Sequence, residues 1–150
     1  MPEELKARIS DMRKLEKSLS AAGATFVREL KCVDTYFNQP KGLVLKLVQD
    51  NDGTFLSRLC ERNGKFELIE RTEIDDPDEL HRKLSETHGV YRTLKKRRKL
   101  FKLGNNTVDL NLIEGVGDFV VLLGESPSED EIAQLLGEAP EFIRVPFSDL

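Results

Sequence analysis

The densest concentration of reactive side chains in this chain is the run Lys95-Lys96-Arg97-Arg98-Lys99. Successive side chains of an extended strand point to opposite faces, so Lys96 and Arg98 share one face while Lys95, Arg97 and Lys99 share the other. Cations spaced this way can grip an anion through charge-assisted hydrogen bonds; the bland alternative is a solvated strand surface. The opening segment Glu4-Leu5-Lys6-Ala7-Arg8 alternates in the same manner, and Lys46 stands alone in the apolar stretch Leu43 to Val48. Asp109 and Asn111 also share a strand face and offer oxygen atoms. Acids and cations on common faces could hold a metal, recognise an anion, or neutralise each other as internal ion pairs. His81 and His88 fall on or beside a helix, where a surface role is the simplest. Cys32 and Cys60 have neither a paired histidine nor metal-ligand spacing, and neither suggests a nucleophile.

The elements that must position these residues follow from periodicity and turn chemistry. Glu4 to Ile9 reads as a strand, and Ser10 is placed to cap a helix carrying Met12, Leu15, Leu19 and Ala22, stopped by Gly23. Thr25 to Phe37 is a second strand. Asp52-Gly53 and Asn63-Gly64 are hairpin signals, so Val44 to Arg71 predicts three antiparallel strands. Asp76-Pro77-Asp78-Glu79 opens a second helix with Leu80 and Leu84 as its buried stripe and Gly89 as its end. Strands are expected at Tyr91 to Leu103, Thr107 to Ile113 and Asp118 to Leu123, then an acidic helix from Ser128 to Leu136 and a closing segment from Phe142 to Leu150. The order β-α-β-β-β-β-α-β-β-β-α predicts an α+β antiparallel barrel.

Whole-chain properties narrow the class. A chain of 150 residues can bury a core without disulfides or metal, and it reads as one domain spanning 1–150. One-third of the residues are charged, with a formal net charge of −4, which argues against nucleic acid as a partner. The basic run also has little of the aromatic interleaving that single-stranded nucleic acid needs. Apolar runs fall well short of the roughly 18 residues needed to span a bilayer, so no membrane partner is expected. Two isolated cysteines and no signal-like start make a reducing cytoplasm the simplest location.

Glu114-Gly115-Val116-Gly117-Asp118-Phe119 resembles the E-G-L-G-D-F turn of the CYTH or triphosphate-tunnel superfamily, which includes class IV adenylate cyclases, thiamine triphosphatases and inorganic triphosphatases. Asp34-Thr35-Tyr36-Phe37-Asn38 is similar to that family's D-T-Y-F-N segment, Lys95 to Phe101 to its V-K-K-x-R-x-L-Y strand, and Glu4 to Arg8 to the second half of its E-x-E-x-K strand. Phe142-Ile143, then Phe147, Asp149 and Leu150, resembles the tail of the cyclase and thiamine-triphosphatase-like branch. The resemblance covers nearly the whole chain and implies an eight-stranded antiparallel tunnel-like barrel with flanking helices. In such a tunnel, acids hold divalent metal and a ring of Lys and Arg grips the phosphates.

Set against that pattern, this sequence keeps cations and loses acids. Glu4 and Lys6 match, but the first acid position is Pro2. The strand after the turn carries Val121 and Leu123 in place of two glutamates, Asn111 replaces a frequent aspartate, and Leu56 stands where a glutamate is frequent. Lys46, Arg62, Lys96 and Arg98 match basic positions, while Val44 and Val48 replace arginines. The resemblance therefore implies a tunnel whose wall combines Lys6, Arg8, Lys46, Arg58, Arg62, Lys96 and Arg98 with Val44, Val48, Leu56, Val121 and Leu123, and with Asp109 and Asn111. Glu4 alone is a poor site for magnesium or manganese, so no cofactor is expected unless the family activity persists. Three functions stay open: a tunnel that binds or acts on an amphipathic or anionic small molecule, a packed scaffold, or residual cyclase or triphosphatase activity.

Overall fold

A computed structural model describes residues 2–150. Nine strands, β1 (Glu3–Arg8), β2 (Thr25–Phe37), β3 (Leu43–Asp50), β4 (Gly53–Arg62), β5 (Lys65–Glu73), β6 (Val90–Leu103), β7 (Asn106–Ile113), β8 (Gly117–Gly124) and β9 (Phe142–Ile143), are joined with α1 (Met12–Ala21), α2 (Pro77–Thr87) and α3 (Glu129–Leu136). The sheet order is β5-β4-β3-β2-β6-β7-β8-β1, and β5 also pairs with β1, which closes an antiparallel eight-stranded barrel. That is the architecture the sequence predicts. The closure is short: Glu3 faces Glu67 and Glu4 faces Phe66, after which the two-residue β9 takes over the same edge of β1 opposite Lys6 and Ala7.

Turn chemistry sets these pairings. Asn63 and Gly64 both adopt positive φ, 53° and 77°, as a type I′ hairpin requires. The β3–β4 turn is centred on Asn51 and Asp52, since Asp50 pairs with Gly53. The cap of α1 differs from expectation: Asp11, rather than Ser10, accepts the hydrogen bond from the Lys14 amide. Ser10 instead donates to Glu138, tying the start of α1 to the end of α3. Asp76 and Ser128 cap α2 and α3 through their side chains.

Helices α1 and α3 cover the outer face of β1, β7 and β8, where Leu15, Leu19, Ile132, Leu135 and Leu136 bury Leu5, Ala7, Val108, Leu110, Val120 and Leu122. Alternation then forces Glu4, Lys6, Asp109, Asn111, Val121 and Leu123 to the barrel interior. Helix α2 sits over β2 and β3: Leu80 and Leu84 pack on Phe37, Leu45 and Leu47 and are themselves only half-buried. Among the described residues, no helix is long and apolar enough to cross a membrane.

Candidate functional site

The barrel interior has two unlike halves. At one end Leu94, Ile113, Phe119, Ile143 and Phe147 pack into a core, with the Phe119 and Phe147 rings 4.9 Å apart. Phe147 arrives there from the C-terminal segment, which is held by Tyr91 donating to Asp149 at 2.7 Å and by Arg92 donating to the Ser148 and Leu150 carbonyls. A recess of about 500 Å³ lies outside this plugged end, lined among others by Tyr36, Leu43, Glu61, Tyr91 and Arg144. At the other end the interior remains hollow, with a cavity of about 140 Å³.

That cavity is walled by Glu4 and Lys6 of β1, Asp34 and Tyr36 of β2, Val44, Lys46, Val48 and Asp50 of β3, Ser57 and Leu59 of β4, and Phe66, Leu68 and Arg71 of β5. Lys96 and Arg98 of β6, Asp109 and Asn111 of β7, Val121 and Leu123 of β8, and Pro146 and Phe147 complete it. Eleven residues that the sequence reading proposed are therefore brought together: Glu4, Lys6, Val44, Lys46, Val48, Lys96, Arg98, Asp109, Asn111, Val121 and Leu123.

Four others are placed elsewhere. In the β3–β4 hairpin Lys46 faces Ser57 and Val44 faces Leu59, so the inward residues of β4 are Ser57 and Leu59. Leu56, Arg58 and Cys60 consequently point outward. Leu56 owes its apolar character to the cluster of Phe37, Leu45 and Leu47 beneath α2, and Arg58 lies 3.6 Å from Glu70. Arg62, at the next hairpin tip, is exposed and pairs with Glu67 at 3.0 Å. Arg8 has the parity of Lys6 but lies beyond the packed end, where it stacks 4.9 Å from the Phe119 ring and donates to Glu141 at 2.5 Å.

The most informative residue that the sequence reading passed over is Asp34. Its Oδ2 lies 2.6 Å from Lys96 Nζ and 3.3 Å from Lys46 Nζ, and all three groups are removed from solvent or nearly so. Burial pushes the Asp34 carboxyl up, but Lys96, Lys46 and Arg98 override it and hold its pKa at about 2. Lys96 also donates to the Tyr36 hydroxyl at 3.3 Å. Arg98 forms a forked pair with Asp109, Nε at 2.9 Å and Nη2 at 2.6 Å from Oδ2; burial opposes its charge, yet Asp109 keeps it above the ordinary arginine value. A further Arg98 nitrogen lies 4.0 Å from the Cys32 sulfur, whose pKa burial pushes up. Asp34 was visible as part of a family-like segment, and its alternation with Tyr36 was the signal that could have placed it inside.

Lys6 is different. Its side chain is 4 % exposed, and its ammonium donates to the Val145 carbonyl at 2.7 Å between the rings of Phe66 and Phe147, at 4.4 and 4.8 Å. Burial lowers its pKa to about 8; Lys46 and Lys96 push the same way, while Glu4 and Asp149 oppose. Among the described residues, Lys6 and Arg71 are the cavity cations with no carboxylate at ion-pair distance.

Four acids line the cavity, Glu4, Asp34, Asp50 and Asp109. Asp34 and Asp109 are engaged by cations, and Glu4 has Leu123 as its cross-strand neighbour on β8. No group of three or more His, Cys, Asp or Glu side chains comes together as a metal site among the described residues. Such an ion asks for about six oxygen ligands.

The family model of the CYTH domain matches residues 3–145 of the chain. Among solved structures, a protein of Pyrococcus horikoshii superposes with a TM-score of 0.85 at 23% identity, covering 100% of this chain and 99% of its own. A putative adenylate cyclase from Vibrio parahaemolyticus gives 0.66 at 19% identity, covering 90% and 82%. A putative adenylyl cyclase from Hippeastrum, described as having a dominant triphosphatase activity, gives 0.58 at 15% identity, covering 91% and 85%. At these identities the likeness establishes the shared fold. No curated protein matches the sequence.

Proposed function

Since the chain belongs to the CYTH domain family, we propose that its barrel binds, or acts on, a small organic anion with a partly apolar body, and does so without a divalent metal. The observation that carries this reading is the internal neutralisation of the cavity: Asp34 occupies Lys96 and Lys46, and Asp109 occupies Arg98. A polyphosphate brings several negative charges, and gripping it would mean pulling those cations out of buried pairs, which is costly in a low-dielectric interior. A singly charged ligand needs only Lys6 and Arg71. Size argues the same way, because about 140 Å³ is close to the roughly 150 Å³ cavity that accepts benzene. Val44, Val48, Leu59, Leu68, Val121 and Leu123 supply the apolar contact, worth roughly 25 cal/mol per Å² removed from water.

The second reading is residual triphosphate chemistry, favoured by the cavity placement of Lys6, Lys46, Lys96 and Arg98. Thermal melts separate the two. Benzoate and short aliphatic carboxylates are expected to raise the melting temperature, while ATP or tripolyphosphate with Mg²⁺ or Mn²⁺ is expected to leave it unchanged and unhydrolysed. Phosphate release from tripolyphosphate that disappears in Lys6→Ala would overturn the proposal.

A further inference from the structure

Lys6 presents an amine in the condition that carbonyl chemistry needs. An ammonium has three hydrogens to satisfy, and the structure gives this one a single hydrogen-bond acceptor, the Val145 carbonyl at 2.7 Å, between two aromatic rings. Among the described residues no carboxylate lies at ion-pair distance from it, and Asp34, the most deeply buried acid of the cavity, is paired with Lys96 and Lys46. The charged groups acting on Lys6 are Glu4 on its own strand, Lys46 on β3, Lys96 on β6 and Asp149 in the C-terminal segment, while β5 and β8 present Phe66 and Val121. Desolvation beside other cations is one of the ways a lysine becomes a nucleophile at neutral pH.

We propose that Lys6 forms an imine with the carbonyl carbon of a small 2-oxo acid held in the cavity. This rests on the reading of the cavity as a site for a small organic anion. The neutral Nζ adds its lone pair to the carbonyl carbon, and the C=O π pair moves to oxygen, which is protonated. The nitrogen then gives up a proton and expels that oxygen as water, leaving C=N in place of C=O; no oxidant or reductant takes part. The protonated imine restores the positive charge of Lys6 beside the ligand's own carboxylate. Burial with one acceptor and no paired carboxylate leaves the Lys6 ammonium poorly solvated, which favours the neutral amine relative to an exposed lysine.

The test is reductive trapping of the intact protein with glyoxylate or 2-oxobutanoate and cyanoborohydride, followed by peptide mapping. Lys6 is expected to be labelled about tenfold faster than the exposed Lys83, the gain in neutral amine being set against its lower basicity. The Lys6 rate should rise with pH around a midpoint of about 8. Lys6→Arg should lose that label and keep the labelling of Lys83. Labelling of Lys6 no faster than Lys83 overturns the imine. If benzoate raises the melting temperature while Lys6 stays unlabelled, the imine fails and the anion site stands. If Lys6 is labelled while benzoate gives no shift, the imine stands and the anion site fails.

Discussion

Asp34 and Lys6 show how opposite environments give two buried charges opposite pH signatures. Asp34 is held at about 2, below the ordinary 3.8, so the stability it supplies is complete above that ordinary value and is lost as pH falls through about 2. Asp34→Asn leaves Lys96 and Lys46 buried without a counter-charge and should cost about 3–5 kcal/mol, read from urea unfolding near neutral pH. Lys6 works the other way. Its folded pKa of about 8 lies below the unfolded 10.5, so the unfolded chain binds that proton more tightly and stability rises with pH between these values. Comparing wild type with Lys6→Met, the wild type should gain on the order of 2 kcal/mol relative to the variant between about pH 7 and pH 10. An unchanged difference would mean that Lys6 titrates normally. At this scale the sequence revealed the cations but not their partners. Lys96 and Arg98 were legible as a pair on one face, whereas Asp34 lies more than sixty residues from Lys96 and meets it only once β2 and β6 pair.

At the scale of the element, strand parity decides which side chains reach the cavity. It was readable where one face of a strand was plainly apolar and the other carried charge, as in β1 and β7, whose outer residues Leu5, Ala7, Val108 and Leu110 lie under helices. It was not readable from composition in β4, where Leu56 is apolar because α2 packs above it and Ser57 is the residue that faces Lys46. Strand β8 is apolar on both faces, so its orientation came from the family resemblance of the turn before it. Val121 lies opposite Lys6 on β1 and Asp109 on β7. Val121→Glu therefore sets a carboxylate beside Lys6, and burial of that charge against the apolar wall should weaken benzoate binding more than Arg98→Ala does, by calorimetric titration. Equal losses would indicate that the ligand does not reach β8.

At the scale of the whole molecule, the order of strands and helices was legible because each turn carries its own signal, and closure followed from the family resemblance. The plug was not legible: Phe147 enters the barrel from a segment with little periodic pattern, and its partners Phe119, Lys6 and Lys96 come from three different strands. The filled half and the hollow half together mean that neither a wholly packed core nor an open tunnel describes the interior.

The closure of the barrel has a consequence for how the chain reaches this state. Strand β1 finds its long partner in β8, with Glu3 opposite Gly124 and Arg8 opposite Phe119, and its other edge is completed by β5 and β9. A ribosome making this chain from its amino end releases β1 first and β8 more than a hundred residues later. Until then Leu5, Lys6 and Ala7 lack their β8 partners Leu122, Val121 and Val120, while the β3–β4–β5 meander can pair as soon as it emerges. Loop-closure entropy is spent before the long-range contacts return it, which slows folding. The long pairing of the strand that carries Lys6 is thus available only once β8 has emerged, and the cavity wall is complete only in the closed barrel.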